Sequence, residues 1–117
     1  MHELYLADAI LRNACASLPQ NLTPDAIQCL KVDVGALDAV VPENLVFLFD
    51  ALKKDYGAVR AELIVNRVEV ICQCRDCRSE FTLDTPVFRC PQCSSPRVDL
   101  LQGRGLTLTE IVVNGCS

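Results

Sequence analysis

The stretch Cys74-Arg75-Asp76-Cys77 … Cys90-Pro91-Gln92-Cys93 decides how this chain is organised. It contains two Cys-x-x-Cys pairs, separated by the twelve residues 78–89. Each pair can form a tight turn, here called a knuckle, that directs two thiolates toward one point. Two facing knuckles make a tetrahedral four-sulfur site, which zinc prefers because its filled d shell imposes no other geometry. The spacing therefore predicts a metal site, with zinc as the ion, held by Cys74, Cys77, Cys90 and Cys93.

The composition describes a chain long enough for one ordinary domain or two very small ones. It has 117 residues, half of them hydrophobic and none of them Trp, so we expect an aliphatic core. The net charge is −4, whereas nucleic-acid binding usually needs a basic face. Arginines do cluster near the two knuckles, but neighbouring carboxylates offset them. We interpret this region as a solvated surface and expect no nucleic-acid partner.

The eight cysteines could indicate a secreted disulfide scaffold, but four of them have metal-ligand spacing. The amino terminus lacks the basic and apolar regions of a signal peptide. No apolar run approaches the length of a membrane-spanning helix. We therefore expect a cytoplasmic protein in a reducing compartment, with no membrane span.

Two amphipathic helices are predicted from apolar residues at three- and four-residue steps. The first runs from Glu3 to Leu18 and ends at Pro19. The second runs from Pro42 to about Lys54, with Pro at an early position where its missing N–H costs little. Tyr56-Gly57 then terminates it.

Three longer strands are predicted from alternation and β-branched content. They cover Ile27 to Val34, Ala61 to Val70, and the region from Leu106 to Val113. Short strands are expected around Phe81, Leu83 and Val87. The final strand flanks the cysteine region together with the Ala61–Val70 strand, so we expect these two strands to pair.

The element order predicts an α+β fold with two lobes. A small α/β lobe of two helices and a three-stranded sheet comprises residues 1–71 plus 106–117. A zinc-ribbon lobe with a four-cysteine site, residues 72–105, is inserted into it.

A second metal-binding pattern stands at the start, Met1-His2-Glu3. The α-amine, the His2 amide nitrogen and the His2 imidazole can close adjacent chelate rings on Ni(II) or Cu(II), and Glu3 adds a carboxylate. By itself His2 is more simply explained as an exposed terminal histidine. The nickel interpretation gains weight because the first helix begins at once and anchors this terminus.

These residues together resemble the HypA/HybF family of hydrogenase nickel-insertion accessory proteins. The resemblance rests on Met1-His2-Glu3-Leu4, Val32-Asp33-Val34-Gly35-Ala36-Leu37, Pro42-Glu43-Asn44-Leu45 and the paired knuckles, and it covers nearly the whole chain. It implies an α/β nickel lobe and a structural zinc lobe.

The resemblance also implies ligands and partners. Met1, His2 and Glu3 would bind nickel, and the four knuckle cysteines would hold zinc. Some relatives have a further acidic nickel ligand, for which Asp38 and Glu43 are the nearest candidates. The protein would deliver nickel to a [NiFe]-hydrogenase large-subunit precursor with a HypB-type GTPase, and urease maturation proteins are open as further partners.

Two other functions fit the knuckles. One is a zinc-ribbon adaptor for protein interactions, and the other is a rubredoxin-like electron carrier, because the same thiolates can hold iron. The sequence contains no nucleophile–base pair and no phosphate-binding Gly loop, so we expect no enzyme.

The remaining cysteines are predicted to lie outside both metal sites. Cys72 is too close to Cys74 to form a knuckle, so it is expected to be a spare thiol. Cys15 and Cys29 are expected in the core, where free Cys is common. Cys116 is expected in a disordered terminus.

Overall fold

The computed structural model describes residues 2–83 and 87–113, with only the backbone of His2. It contains two α-helices, three short 3-10 helices and six strands among these residues. The helices are α1 (His2–Ala16) and α2 (Pro42–Leu52), with 3-10 turns at Pro24–Ala26, Ala36–Asp38 and Lys53–Tyr56. The strands are β1 (Cys29–Gly35), β2 (Glu62–Val68), β3 (Ile71–Cys74), β4 (Glu80–Thr82), β5 (Val98–Gln102) and β6 (Leu106–Val112).

Helix α1 buries the stripe that its periodicity predicts. Ala7, Ile10, Leu11 and Ala14 are at most 2% exposed, and this face packs against α2. Leu4, at the start of the same stripe, is 51% exposed. The helix ends at Ala16, two residues before the predicted end.

Helix α2 contributes two fully buried side chains, Leu45 and Phe49, to the same core. Its last turn tightens into the 3-10 helix Lys53–Tyr56. Gly57 follows with φ +79°, a left-handed conformation that ends helices and favours Gly. The predicted termination at Tyr56-Gly57 is confirmed.

The first sheet has the order β2-β1-β6, so the predicted pairing of the final strand with the Ala61–Val70 strand is wrong. Strand β1 lies between them. Gln28, just before β1, donates its N–H to Val112 at 2.8 Å and accepts the Glu62 N–H at 3.1 Å. Strand β1 has four buried apolar side chains, Cys29, Leu30, Val32 and Val34. The most apolar strand of this sheet is therefore the central one, with a neighbouring strand along each edge.

The second sheet has the order β4-β3-β5 and contains the cysteine region. Strand β3 pairs antiparallel with both neighbours, and Cys72 lies opposite Phe81 on one side and Leu100 on the other. The expected strand near Phe81 is present as β4, but Leu83 and Val87 lie outside any strand. Strands β3 and β5 were not predicted.

The chain forms two compact units. One comprises residues 1–33, 40–66 and 107–117, and the other comprises residues 34–39 and 67–106. The first contains both α-helices, and the second contains both knuckles. Among the described residues, no helix has the length and apolar character needed to span a membrane.

Candidate metal centre

The first knuckle begins where β3 ends, at Cys74. The Cys74 N–H donates to the Ser79 carbonyl at 2.9 Å, and the Cys74 carbonyl accepts the Arg78 N–H at 3.0 Å. Arg78 has φ +65°, the left-handed conformation that closes the turn. These contacts hold residues 74–79 in one tight loop.

The second knuckle repeats the same backbone pattern. The Cys90 N–H donates to the Ser95 carbonyl at 2.9 Å, and the Cys90 carbonyl accepts the Ser94 N–H at 2.9 Å. Ser94 has φ +63°. The two knuckles are therefore local copies of each other, as their shared Cys-x-x-Cys-x-Ser sequence indicates.

The four thiols of the knuckles converge. The Sγ atoms of Cys74 and Cys93 are 3.6 Å apart, those of Cys77 and Cys90 are 3.5 Å apart, and all four lie within 4.8 Å of one another. A tetrahedral ion with Zn–S bonds of about 2.3 Å would place its sulfurs about 3.8 Å apart. The thiol arrangement therefore fits a tetrahedral thiolate-bound ion, and zinc suits this donor set.

Burial and charge differ among the four thiols. Cys74 and Cys90, the first of each pair, are 1% exposed, whereas Cys77 and Cys93 are exposed. A hydrogen bond with the Ser79 hydroxyl, aided by Ser79 N–H, lowers the pKa of Cys77 to about 6. The Ser95 N–H lowers the pKa of Cys93, but hydrogen bonds with the other thiols outweigh it and raise that pKa to about 12.

Backbone N–H groups also point at the buried sulfurs. The Cys77 N–H donates to Cys74 Sγ at 3.5 Å, and the Gln92 N–H donates to Cys90 Sγ at 3.3 Å. These contacts fix the positions of both sulfurs relative to the backbone of their knuckles. Among the described residues, this is the one cluster that brings together three or more His, Cys, Asp or Glu ligand atoms.

The predicted nickel residues are only partly described. Met1 and the His2 side chain lie outside the described residues. The Glu3 carboxylate accepts the N–H of Val41, the residue before α2, at 3.3 Å. This hydrogen bond, followed by that from its own N–H, lowers the pKa of Glu3, so its carboxylate is kept charged beside the start of α2.

The two further acidic candidates have different surroundings. Asp38 accepts a hydrogen bond from the Gly105 N–H, so its carboxylate already has a backbone partner. Glu43 lines an open cleft of about 450 Å³ on α2, together with Pro42, Val46, Phe47 and Val65.

The other cysteines among the described residues, Cys15, Cys29 and Cys72, do not belong to the thiol cluster. Cys72 is a buried free thiol, as predicted, and Cys15 is free and only half-buried. Cys29 is buried in the core, as predicted, but it is disulfide-bonded and not a free thiol. Cys116 lies outside the described residues.

Two residues near the thiols, Ser79 and Asp76, were not identified from the sequence as part of the site. Ser79 and Ser95 accept the N–H groups of Cys74 and Cys90, and Ser95 also donates its hydroxyl to Asp76. The repeated Cys-x-x-Cys-x-Ser pattern carried the signal for both serines. No comparable signal marked Asp76, because its contact crosses between the knuckles.

The fold and the thiol cluster define a small α+β protein with a four-cysteine metal-binding unit. The family model described as hydrogenase/urease nickel incorporation, metallochaperone, HypA matches residues 1–113. The hydrogenase maturation factor HypA of Desulfosudis oleivorans is 33% identical over 111 residues, covering 95% of this chain and 96% of that protein. The HypA of Chloroflexus aurantiacus is 36% identical over 112 residues, covering 95% of this chain and 97% of that protein.

Solved structures show the same fold. A solution structure of the Ni metallochaperone HypA from Helicobacter pylori aligns with a TM-score of 0.68 at 21% identity, covering 97% of both chains. A solution structure of HypA protein aligns with a TM-score of 0.70, also at 21% identity and 97% of both chains. This chain belongs to the HypA family of nickel-incorporation metallochaperones, which confirms the resemblance found in its sequence.

Proposed function

We propose that the chain binds Ni(II) through Met1, His2 and Glu3 and delivers it for maturation of a [NiFe]-hydrogenase. The observation that carries this proposal is the family match, which begins at residue 1 and so includes the Met1-His2-Glu3 pattern. The α-amine, the His2 amide and the imidazole form adjacent chelate rings that suit nickel. Helix α1 begins at His2, so the backbone of His2 and Glu3 belongs to this helix.

A zinc ion at Cys74, Cys77, Cys90 and Cys93 is the second part of the proposal. The sulfur spacing supports a tetrahedral thiolate site but suits iron as well as zinc. When bound, zinc supplies a crosslink between the knuckles rather than chemistry. Purified protein should be colourless with about one zinc per chain, whereas a red iron protein would favour the electron carrier.

The two proposed metal sites lie in different lobes of the chain. We assign nickel to residues 1–71 plus 106–117 and structural zinc to residues 72–105. Delivery requires exchange, so the nickel site should bind more weakly than the zinc site. The chain acts as a carrier and not as an enzyme in this proposal.

The proposed partners are a HypB-type GTPase and the [NiFe]-hydrogenase large-subunit precursor, with urease maturation proteins as further candidates. All of these interactions would take place in the cytoplasm. Co-elution of the purified chain with each purified partner, in the presence and absence of Ni(II), tests the assignment. Retention of no partner under either condition would contradict it.

The decisive experiment compares nickel binding by tag-free, zinc-loaded protein with that of a version carrying one extra residue before Met1. The extension moves the α-amine and leaves every side chain in place. We expect about one nickel per native chain and loss of that binding in the extended chain. Equal binding by both would place nickel elsewhere, and binding by neither would leave the zinc-ribbon adaptor as the better function.

Nickel binding should also weaken as the pH falls. The ion needs a neutral imidazole and a free amine, whose ordinary pKa values are about 6.5 and about 7.7–8.0. Protons therefore compete with nickel through the range between mildly alkaline and mildly acidic pH. An affinity that stays constant across this range would contradict coordination by the terminus.

A further inference from the structure

Asp76 lies inside the first knuckle, yet its carboxylate is bound by the segment that leaves the second. One oxygen, Oδ2, accepts the Ser95 hydroxyl hydrogen bond. The other, Oδ1, is 3.3 Å from Nη1 of Arg97. This carboxylate therefore provides a side-chain link between residues 74–77 and residues 95–97.

Ser95 connects that carboxylate to a thiolate ligand. Its carbonyl accepts the N–H of Cys90 at 2.9 Å, and its hydroxyl oxygen also accepts the N–H of Arg97 at 3.1 Å. The position of the Cys90 backbone thus depends on Ser95, whose side chain is held by Asp76. The path from Asp76 to Cys90 consists of two hydrogen bonds and one residue.

The two knuckles use their equivalent serines differently. Ser79 stands in the first knuckle where Ser95 stands in the second, and its hydroxyl lies 3.3 Å from Cys77 Sγ within its own knuckle. The residue equivalent to Asp76 in the second knuckle is Gln92, which has no charge. The side-chain contact between the knuckles therefore comes from this carboxylate and not from the repeated turn. It adds to a backbone hydrogen bond between the same segments, from the Arg75 N–H to the Arg97 carbonyl at 2.8 Å.

We propose that Asp76 is a positioning residue of the metal centre, which holds the two knuckles together and slows metal release. The proposal rests on the proposed metal site at the four cysteines. Release requires the knuckles to separate, and the Asp76 contacts with Ser95 and Arg97 must break when they do. A second ion pair joins the first knuckle to β5, the strand that follows residues 95–97, since Arg75 Nη2 is 2.7 Å from Asp99 Oδ1.

Direct electrostatics would have the opposite effect. A zinc ion with four thiolates is a dianion, so a neighbouring carboxylate destabilises it through space. Replacing Asp76 with a neutral residue should tighten metal binding if charge alone matters. Faster release from such a variant therefore reports the loss of positioning.

The first test is the Asp76→Asn variant of the zinc-loaded full chain, with zinc release followed by the absorbance of an excess chromogenic chelator. Outer-shell partners of metal ligands typically change metal affinity by about 10–100-fold, and exposed ion pairs are worth much less than buried ones. Because the pair is about half-exposed, we expect release to be roughly five- to tenfold faster. Glu80→Gln is the matched control, since it removes an exposed β4 carboxylate that forms no ion pair among residues 2–83 and 87–113.

Ser95→Ala tests the path to Cys90 and is the second variant if Asp76→Asn folds poorly. Because the two residues share one hydrogen bond, the double variant should accelerate zinc release by less than the product of the two single accelerations. Cobalt-loaded samples should keep the absorption bands of tetrahedral thiolate coordination, and the far-ultraviolet circular dichroism of the helices should be unchanged. These readouts separate loosened knuckles from general unfolding.

Wild-type release rates in Asp76→Asn and Ser95→Ala would overturn the positioning role while leaving the zinc assignment intact. Equal acceleration by Glu80→Gln would overturn it as well, because a carboxylate that has no contact with Ser95 or Arg97 would then have the same effect. Wild-type protein that holds no thiolate-bound metal would overturn the metal assignment and, with it, this inference.

Discussion

The Asp38 carboxylate accepts a hydrogen bond from the backbone N–H of Gly105, 67 residues further along the chain. Two backbone bonds join the same segments, from Gly35 N–H to the Gly105 carbonyl at 2.8 Å and from Leu37 N–H to the Gly103 carbonyl at 2.9 Å. Asp38 thus fastens residues 35–38 to the turn before β6. This contact gives Asp38 a structural role, although the sequence also made it a candidate nickel ligand.

Asp38→Ala should therefore reduce stability without changing the nickel stoichiometry. Loss of a half-exposed, charge-assisted hydrogen bond is expected to lower the free energy of unfolding by about 1–2 kcal/mol. Urea unfolding and nickel titration of the same preparation measure both effects. Asp38→Asn, which keeps an acceptor, should lie between wild type and Asp38→Ala. Loss of the bound nickel in both variants would instead make Asp38 a ligand.

Gly35 is required by a close backbone approach. A Cβ at this position would lie 2.2 Å from the carbonyl carbon of Gly103 and 2.4 Å from the Arg104 nitrogen, both of which are backbone atoms. Gly35 itself has an ordinary φ of −67°, so the cost of a side chain here is steric alone. Gly35→Ala must therefore separate the two segments.

We expect Gly35→Ala to cost about 3 kcal/mol of unfolding free energy, at the upper end of overpacking effects. Gly57→Ala is the matched control, because its Cβ would meet nothing closer than 3.7 Å and its only cost is that of φ +79°. That conformational cost is about 1–2 kcal/mol. Denaturant unfolding measures the loss of unfolding free energy in both variants. A smaller loss in Gly35→Ala than in Gly57→Ala would refute the steric argument.

The helices and the thiol cluster were predictable from the sequence because their signals are local. Apolar steps of three and four residues marked α1 and α2, and Cys-x-x-Cys spacing marked each knuckle. Helix ends were less accurate, since α1 stops at Ala16 and the periodic signal continues to Leu18.

The sheet order was not predictable from local pattern. Strand β1, the central strand, has the most buried apolar side chains of its sheet. Burial depends on the assembled sheet, whereas the predicted pairing rested only on which strands flank the cysteine region along the chain. Strands β3 and β5 are short and contain Cys, Gln or Asp, which weakens alternation. The contacts of Asp38 with Gly105 and of Asp76 with Ser95 join distant segments, so only the fold could reveal them.

The Tyr56 hydroxyl donates a hydrogen bond to Asp8 on α1, and this bond, with burial, raises the pKa of Tyr56. Tyr5 is the other tyrosine of the two in the chain, so Tyr5→Phe leaves Tyr56 as the sole tyrosine signal. In that background we follow the tyrosinate absorbance near 295 nm as the pH is raised. We expect the midpoint of this titration at a pH above the ordinary tyrosine pKa of about 10. Adding Asp8→Asn should move the titration to lower pH.

Arg12→Gln provides the opposite control. Its guanidinium lies 3.5 Å from the Asp8 carboxylate and lowers the pKa of Tyr56, so its removal should move the titration to higher pH. Because the folded-state pKa is raised, the Tyr56 contact stabilises the fold fully below about pH 10 and loses this effect as the pH rises further. A titration that is identical in all three variants would contradict the contact.

Cys72 and Cys74 are two residues apart on β3 and both are buried, but only Cys74 belongs to the thiol cluster. They are therefore a matched pair for testing the proposed zinc site. Cys74→Ala should abolish stoichiometric zinc and unfold the cysteine region, because structural zinc contributes about 10–16 kcal/mol of apparent binding energy that is coupled to folding.

Cys72→Ala should keep one zinc per chain and lose only the packing of one small buried side chain, about 1 kcal/mol. Elemental analysis after gel filtration gives the zinc content, and nuclear magnetic resonance shifts of residues 72–102 report the fold of the region. Prolonged treatment of wild-type protein with a strong chelator should reproduce the Cys74→Ala spectrum and not that of Cys72→Ala. Zinc loss from Cys72→Ala would place Cys72 in the metal site, whereas zinc retention by Cys74→Ala would show that Cys74 is not an essential ligand.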